Sequence, residues 1–150
     1  MIEENDFNLS VSNEFIVNEP NEFYDDNRDF TTLEAWKKCN EVKLYFYKKI
    51  LPLLPIEEKY NLDNQIRRAA ISTTANIAEG YGRYHYREGL QFYRISRASI
   101  YELKDHLISC NDLGYIGYEL KNEGEDLIES AKRTLNGFIN FVKKKIQNEK

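Results

Sequence analysis

The sequence predicts an all-α fold, an antiparallel up-down-up-down four-helix bundle preceded by an acidic N-terminal arm. Apolar residues recur at steps of three and four along four segments of the chain, which is the period of an amphipathic helix. Short stretches containing proline or glycine separate these segments. No segment shows the strict alternation typical of a β-strand. Four amphipathic helices with short connections pack most simply as a bundle, so residues 31–150 are predicted to form one.

The first helix is predicted over about residues 32–51. Thr31 and Glu34 have the spacing of a capping box, in which the two side chains satisfy backbone N–H groups at the start of a helix. Pro52 and Pro55 follow, and they are expected to end the helix because proline cannot continue it.

The second helix is predicted to begin at Asn61 or Asp63, either of which can cap it, and to run to Glu79. Gly80 follows and suits the left-handed residue that commonly ends a helix. Several residues of the apolar face are small, so a neighbouring helix is expected to approach closely. That face comprises Leu62, Ile66, Ala69, Ala70, Thr73 and Ile77.

The third helix is predicted over about residues 86–113, with Gly114 closing it. The fourth begins at about Tyr118 and ends in a lysine-rich turn, where positive charge favourably opposes the helix dipole. Gly124 and Gly137 lie inside this helix and predict close packing or local bends.

Charge divides the chain into an acidic arm and a mildly basic body. Residues 1–30 hold nine acidic side chains against Arg28, which gives a net charge of -8. The remaining residues hold 20 Lys and Arg against 16 Asp and Glu, which gives +4. The arm is predicted to be a mobile tail or to dock on a neighbouring subunit. A body charge of +4 permits phosphate contacts but is smaller than that of a dedicated nucleic-acid-binding protein.

Localisation is predicted to be cytoplasmic. Cys39 and Cys110 lie within apolar helical patterns, no secretory signal precedes them, and both are expected to be reduced and buried. No apolar run approaches the roughly 20 residues that span a bilayer, so no membrane partner is expected.

The second helix carries the clearest resemblance to a known family. The chain resembles the four-helix-bundle proteins encoded in 23S rRNA intervening sequences, over about residues 33–142. The residues that carry this resemblance are Gln65-Ile66-Arg67-Arg68-Ala69-Ala70, Ser72 and Asn76-Ile77-Ala78-Glu79-Gly80, supported by Trp36, Tyr60, Leu62, Phe92, Ser99, Glu102-Leu103 and Leu113-Gly114-Tyr115. Thr74 departs from the pattern, since many relatives have a proline there, and the acidic arm lies outside it.

The resemblance implies a protomer that assembles into a ring-like homopentamer with no established enzymatic activity. Related accessory proteins of diversity-generating retroelements form similar barrels that bind nucleic acid and a reverse transcriptase. RNA or DNA and a reverse transcriptase are therefore candidate partners of this chain. The family name reflects a gene location, so it does not imply a ribosomal protein.

Several cationic residues are candidates for binding nucleic acid or a partner. Arg67 and Arg68 are either phosphate contacts or members of ion pairs. The segment formed by the turn after the second helix and the start of the third helix interleaves tyrosines with cations. This pattern is typical of single-stranded nucleic-acid sites and also of subunit interfaces, and a plain solvated surface is the third interpretation. Its tyrosines are Tyr81, Tyr84, Tyr86 and Tyr93. Its arginines are Arg83, Arg87, Arg94 and Arg97, while Lys143, Lys144 and Lys145 form either a repeated weak phosphate site in an oligomer or a solvated helix end.

A second set of polar residues is predicted to form a structural network between the second and third helices. Its members are Gln65, Asn76, Glu79, Ser99 and Glu102. A catalytic carboxylate pair is the alternative interpretation, but no histidine or nucleophile completes such a site. His106 and Cys110 lack further metal ligands, and Gly80-x-Gly82 lacks the context of a dinucleotide loop.

The sequence thus predicts a non-catalytic homo-oligomeric scaffold, without cofactor or metal, that binds nucleic acid or a nucleoprotein. A protein-interaction adaptor that does not bind nucleic acid, and whose acidic arm masks a basic surface, is the alternative.

Overall fold

The structure is a computed structural model that describes Tyr24 and residues 29–149. Four α-helices dominate it: α1 (Glu34–Tyr45), α2 (Leu62–Gly82), α3 (Tyr86–Asp112) and α4 (Tyr118–Asn148). Each helix packs against the next, and α1 also packs against α4. The described residues contain no β-strand. The predicted four-helix bundle is therefore confirmed, while most of the predicted arm lies outside the described residues.

The start of α1 differs from the predicted capping box. Leu33 occupies the position before α1 and provides no side-chain cap. Thr31 instead belongs to a preceding 3-10 turn, in which its backbone N–H donates to the Asp29 carboxylate at 2.9 Å. The prediction was wrong because the ionised Asp29 side chain takes the N–H that starts this turn, one turn before α1 begins.

The end of the first helical segment lies close to the predicted one. A π-helical turn (Phe46–Ile50) and a 3-10 turn (Leu51–Leu53) continue α1, and the chain becomes extended at Leu54. A further 3-10 turn (Ile56–Glu58) leads towards α2. Neither predicted cap of α2 acts as one, since Asn61 makes no capping hydrogen bond and Asp63 accepts from Arg67 Nε at 2.6 Å.

The C-terminal end of α2 corrects a second prediction. Gly80 is helical and buried, and α2 continues to Gly82. The left-handed conformation falls on Tyr84, with a φ of 50°. A Cβ atom on Gly80 would lie 2.7 Å from Tyr93 Cε1, so the absence of a side chain serves helix packing rather than a turn. Gly114, with a φ of 79°, follows α3 as predicted.

The core runs along the bundle axis and contains both cysteines. Cys39 and Cys110 are buried free thiols, as predicted. Gly124 provides the predicted close packing in α4, because a Cβ atom there would lie 2.7 Å from Leu107 Cδ2 and 2.9 Å from Tyr45 Cε1. None of the four helices is apolar over a length that could cross a membrane.

Candidate nucleic-acid interface

Three polar contacts fix the alignment of α3 with α4. Arg97 Nη1 donates to Asn136 Oδ1 at 3.1 Å, and Lys104 Nζ donates to Glu129 Oε1 at 3.2 Å. Between them, Lys132 Nζ lies 5.3 Å from the centre of the Tyr101 ring. Since these pairs advance in opposite directions along the two helices, α3 and α4 are antiparallel and their outer residues follow a regular register.

Continuing this register towards the turn between α2 and α3 brings together further cations. Arg94 and Arg87 lie about one and three turns before Arg97 on α3, and Lys143 lies two turns after Asn136 on α4. The side chains of Arg87, Arg94 and Lys143 are exposed, and Arg97 is half-buried. We call the surface formed by Arg87, Arg94, Arg97 and Lys143 the basic face.

The charges of the neighbouring lysines Lys104 and Lys132 are partly compensated. Glu129 lies 3.2 Å from Lys104 Nζ and 2.9 Å from Lys132 Nζ. Hydrogen bonds from Lys132 and Lys104 lower the pKa of Glu129, so this carboxylate stays ionised and offsets one of the two positive charges. Arg87, Arg94 and Lys143 carry positive charge that no ion pair among the described residues offsets, at the end of the bundle near the turn between α2 and α3.

The other predicted cations lie on different surfaces. Arg67 pairs with Asp63 and stacks at 5.3 Å over the Tyr47 ring, while Arg68 is exposed on α2. Arg83 follows α2 and turns towards Glu79, 3.6 Å away, and the Phe92 ring. Because α2 continues to Gly82, Arg83 follows the end of α2 and does not belong to α3 with Arg87 and Arg94. Lys144 is exposed, and Lys145 lies 5.5 Å over the Phe141 ring.

Of the five residues predicted to form a polar network, Ser99 and Asn76 are connected. Ser72, which the prediction omitted, makes the connection. Ser99 Oγ lies 2.7 Å from Ser72 Oγ, and Asn76 Nδ2 donates to Ser72 Oγ at 2.8 Å. Gln65 is exposed, Glu79 faces Arg83, and Glu102 lies 3.2 Å from His106 Nε2. The sequence did contain a signal for Ser72, since it precedes Asn76 by one helical turn and shares its face.

Four tyrosines converge where α2 meets α3, next to the basic face. The Tyr24 ring lies 5.4 Å from Tyr81, 5.4 Å from Tyr84 and 5.1 Å from Tyr86, measured between ring centres. The Tyr81 and Tyr84 rings are 6.0 Å apart. We call Tyr81, Tyr84 and Tyr86 the tyrosine pocket, which Tyr24 occupies. The sequence did not predict this contact, because nothing near Tyr24 has helical or strand periodicity.

Burial governs the ionisation of these phenols. It raises the pKa of Tyr24 far above its ordinary value, and the Tyr93 hydroxyl acts in the opposite direction. Burial and the nearby Glu149 carboxylate also raise the pKa of Tyr86. Tyr81 and Tyr93 are buried, so they pack within the end of the bundle. The sequence analysis had considered both as exposed stacking surfaces, and in this structure they are not exposed.

Within the described part of the chain, no three metal-binding side chains come together in a way that could hold an ion. Cys110 is buried, and His106 pairs with Glu102 one turn away. The groups that remain for binding a ligand at this end of the bundle are cations, aromatic rings and hydroxyl groups.

Comparison with known proteins gives one family match. The sequence model described as 23S rRNA-intervening sequence protein matches residues 31–137. The chain belongs to this family. A search of curated proteins finds no match. The part of the chain that matches the 23S rRNA-intervening sequence family includes α1, α2, α3 and most of α4, so Arg87, Arg94 and Arg97 lie within it and Lys143 lies beyond it.

Proposed function

We propose that this protein is a non-catalytic, cytoplasmic, homopentameric scaffold that binds single-stranded nucleic acid through its basic face. Its partner is then RNA or DNA, alone or within a nucleoprotein such as a reverse transcriptase complex. Family membership supports the assembly, since resemblance to this family implies a pentamer. The observation that carries the binding proposal is the basic face itself, placed beside a cluster of tyrosines.

The arrangement of the basic face favours phosphate binding over internal ion pairing. Arg67 and Arg83 have carboxylate partners on α2. Among the described residues, no ion pair involves Arg87, Arg94 or Lys143. Arg97 is held by a neutral amide, which orients the guanidinium and leaves its charge uncompensated. Guanidinium groups bind phosphate oxygens in a fixed geometry, so such a surface suits a nucleic-acid backbone.

Assembly would strengthen a site that is weak in one protomer. Four cations per protomer supply few phosphate contacts, and the body carries only +4. In a ring of five, the same face recurs five times, and linked weak contacts gain effective concentration. A long strand is therefore expected to bind more tightly than a short one of the same composition.

Binding and mass should be measured together by light scattering and titration of labelled single-stranded RNA and DNA at several salt concentrations. The variant R87Q/R94Q/K143Q should bind more weakly and show a salt slope smaller by roughly two, since each lost phosphate contact with a single strand removes about 0.7 from it. The variant R67Q/R68Q/R83Q removes the same charge from α2 and from the residue that follows it, and it serves as the control. Equal loss in both variants, or no binding by the unmodified protein, would refute the assigned face.

A second candidate function is a protein-interaction adaptor whose acidic arm masks the basic face. Tyr24 favours it, because this residue of the arm lies at the end of the bundle where the basic face lies. Deleting residues 1–23 removes six acidic side chains and keeps Tyr24. Tighter nucleic-acid binding after deletion would support masking. Unchanged affinity would remove that role from the arm.

A further inference from the structure

The tyrosine pocket has the geometry of a site for one planar ring. Its three rings come from the end of α2, from the turn and from the start of α3, and all lie within 5.1–5.4 Å of the Tyr24 ring centre. Tyr24 packs at tilted and edge-on angles of 42–72°. Such distances and angles are typical of favourable aromatic contacts. The pocket thus accepts an aromatic ring that belongs to neither helix.

The turn holds one wall of this pocket in an uncommon conformation. Tyr84 has a φ of 50°, in the left-handed region that residues with a large side chain seldom adopt. Its ring nevertheless remains 55% exposed, so burial of Tyr84 does not explain the conformation. The left-handed turn places this ring edge-on to Tyr24. Strained residues of this kind cluster where proteins hold ligands.

The pocket also adjoins the basic face. Tyr86 immediately precedes Arg87, and the register of α3 with α4 places Lys143 on the same end of the bundle. A nucleotide whose base entered the pocket would have its backbone phosphates near these cations. Rings and cations arranged in this way are the two components of single-stranded nucleic-acid sites.

We infer that the tyrosine pocket is a binding site for one unpaired nucleobase of single-stranded nucleic acid, and that Tyr24 competes for it in the same chain. This inference rests on the proposed function for the neighbouring phosphate contacts. Tyr24 acts as an internal substitute for the base and lowers the affinity of the site. The acidic charge of the arm is a separate effect, since a ring and a charge can be removed independently.

The test compares Tyr24→Ala with Tyr24→Phe in the full chain. The probes are a fluorescent oligothymidylate and an abasic oligonucleotide of equal length, which carries the same phosphates and no bases. Tyr24→Ala should bind oligothymidylate about 5- to 100-fold more tightly than the unmodified protein, because stacking of one base has this range of effect. Its affinity for the abasic probe should be unchanged. Tyr24→Phe keeps the ring and should behave as the unmodified protein.

A second substitution identifies the pocket. Tyr84 is exposed, so Tyr84→Ala is expected to fold, and in the Tyr24→Ala background it should remove most of the gain for oligothymidylate. An equal gain for both probes would overturn the inference, because it would reflect charge or unfolding. A change in oligomer mass without a change in affinity would also overturn it, by assigning the pocket to a second copy of the chain.

Failure of the inference and failure of the proposed function give different results. Salt-sensitive binding of the abasic probe to all variants, with no effect of Tyr24→Ala on oligothymidylate, would overturn the base site and leave the phosphate site standing. Binding of neither probe to any variant at low salt would overturn both.

Discussion

Gly80 of α2 and Gly89 of α3 face each other where these helices approach closely. A Cβ atom added to either residue would lie 3.0 Å from the carbonyl oxygen of the other. Tyr93 fills the space beside them, with its hydroxyl oxygen 3.0 Å from the position of a Cβ on Gly89. The two glycines therefore allow the hairpin of α2 and α3 to close tightly directly below the tyrosine pocket.

Gly80→Ala is expected to destabilise the protein by about 1–3 kcal/mol, the usual cost of overpacking a core. The added methyl group would lie 2.7 Å from Tyr93 Cε1 and 2.9 Å from Phe92 Cβ, and the latter is fixed to the backbone. Gly82→Ala is the matched control, because a Cβ there meets no atom within 4 Å and alanine favours a helix. Urea unfolding of both variants measures the difference. If both were equally stable, the close approach would not matter.

The contact between Ser72 and Ser99 should be measurable as a coupling energy. Ser72→Ala and Ser99→Ala each remove one side of the 2.7 Å hydrogen bond, so the double variant should cost less than the sum of the two. We expect a coupling of about 0.5–1.5 kcal/mol, the net value of a part-buried hydrogen bond. Additive effects would show that water replaces the partner at little cost.

The positions of the helices were predictable from the sequence, because the residues that are buried recur with the period of the helix. The apolar stripe of α2 was read correctly from Leu62 to Ile77, since each of its members is buried. The end of α2 was misread at Gly80, because a glycine that allows close packing and a glycine that ends a helix have the same local sequence signal. Only Gly89 and Tyr93, which lie on the next helix, distinguish the two roles.

The candidate site was predictable in part for a related reason. Arg87 and Arg94 share one face of α3 by their spacing of seven residues, and the sequence analysis placed both among the binding residues. The contribution of Lys143 to that face depends on how α3 aligns with α4, which local patterns do not encode. Tyr24 makes its contacts as a single residue outside any helix, so no periodic pattern in the sequence predicts them.

Glu129→Gln should strengthen nucleic-acid binding if the basic face binds phosphate. Glu129 now lies 3.2 Å from Lys104 Nζ and 2.9 Å from Lys132 Nζ, so its neutralisation would raise the positive charge of this surface by one and leave both lysines without this carboxylate. We expect a several-fold gain at low salt that disappears at high salt. Glu119→Gln removes the same charge at an exposed position in the first turn of α4 and should have a smaller effect. Equal gains in both variants would show that affinity depends on the total charge of the protein and not on the position of Glu129.

Alkaline pH is expected to destabilise the fold through its buried thiols. Burial raises the pKa of Cys39 from 9.0 to about 12, and that of Cys110 to about 11. Since the folded state retains the proton that the unfolded state releases, the stabilisation is full below about pH 9 and is lost as the pH rises towards 12. At about pH 10, Cys39 alone should account for a loss of about 1 kcal/mol.

The Cys39→Ala variant isolates this contribution. Cys39 is fully buried, and its sulfur lies 4.0 Å from Ser96 Oγ, so the substitution also leaves a small cavity with its own constant cost. The cavity does not titrate, whereas the thiol does. The free energy of unfolding in urea should therefore fall less steeply between about pH 8 and about pH 10 in the variant than in the unmodified protein. Equal slopes would mean that Cys39 ionises as readily in the folded bundle as in the unfolded chain, which contradicts its burial.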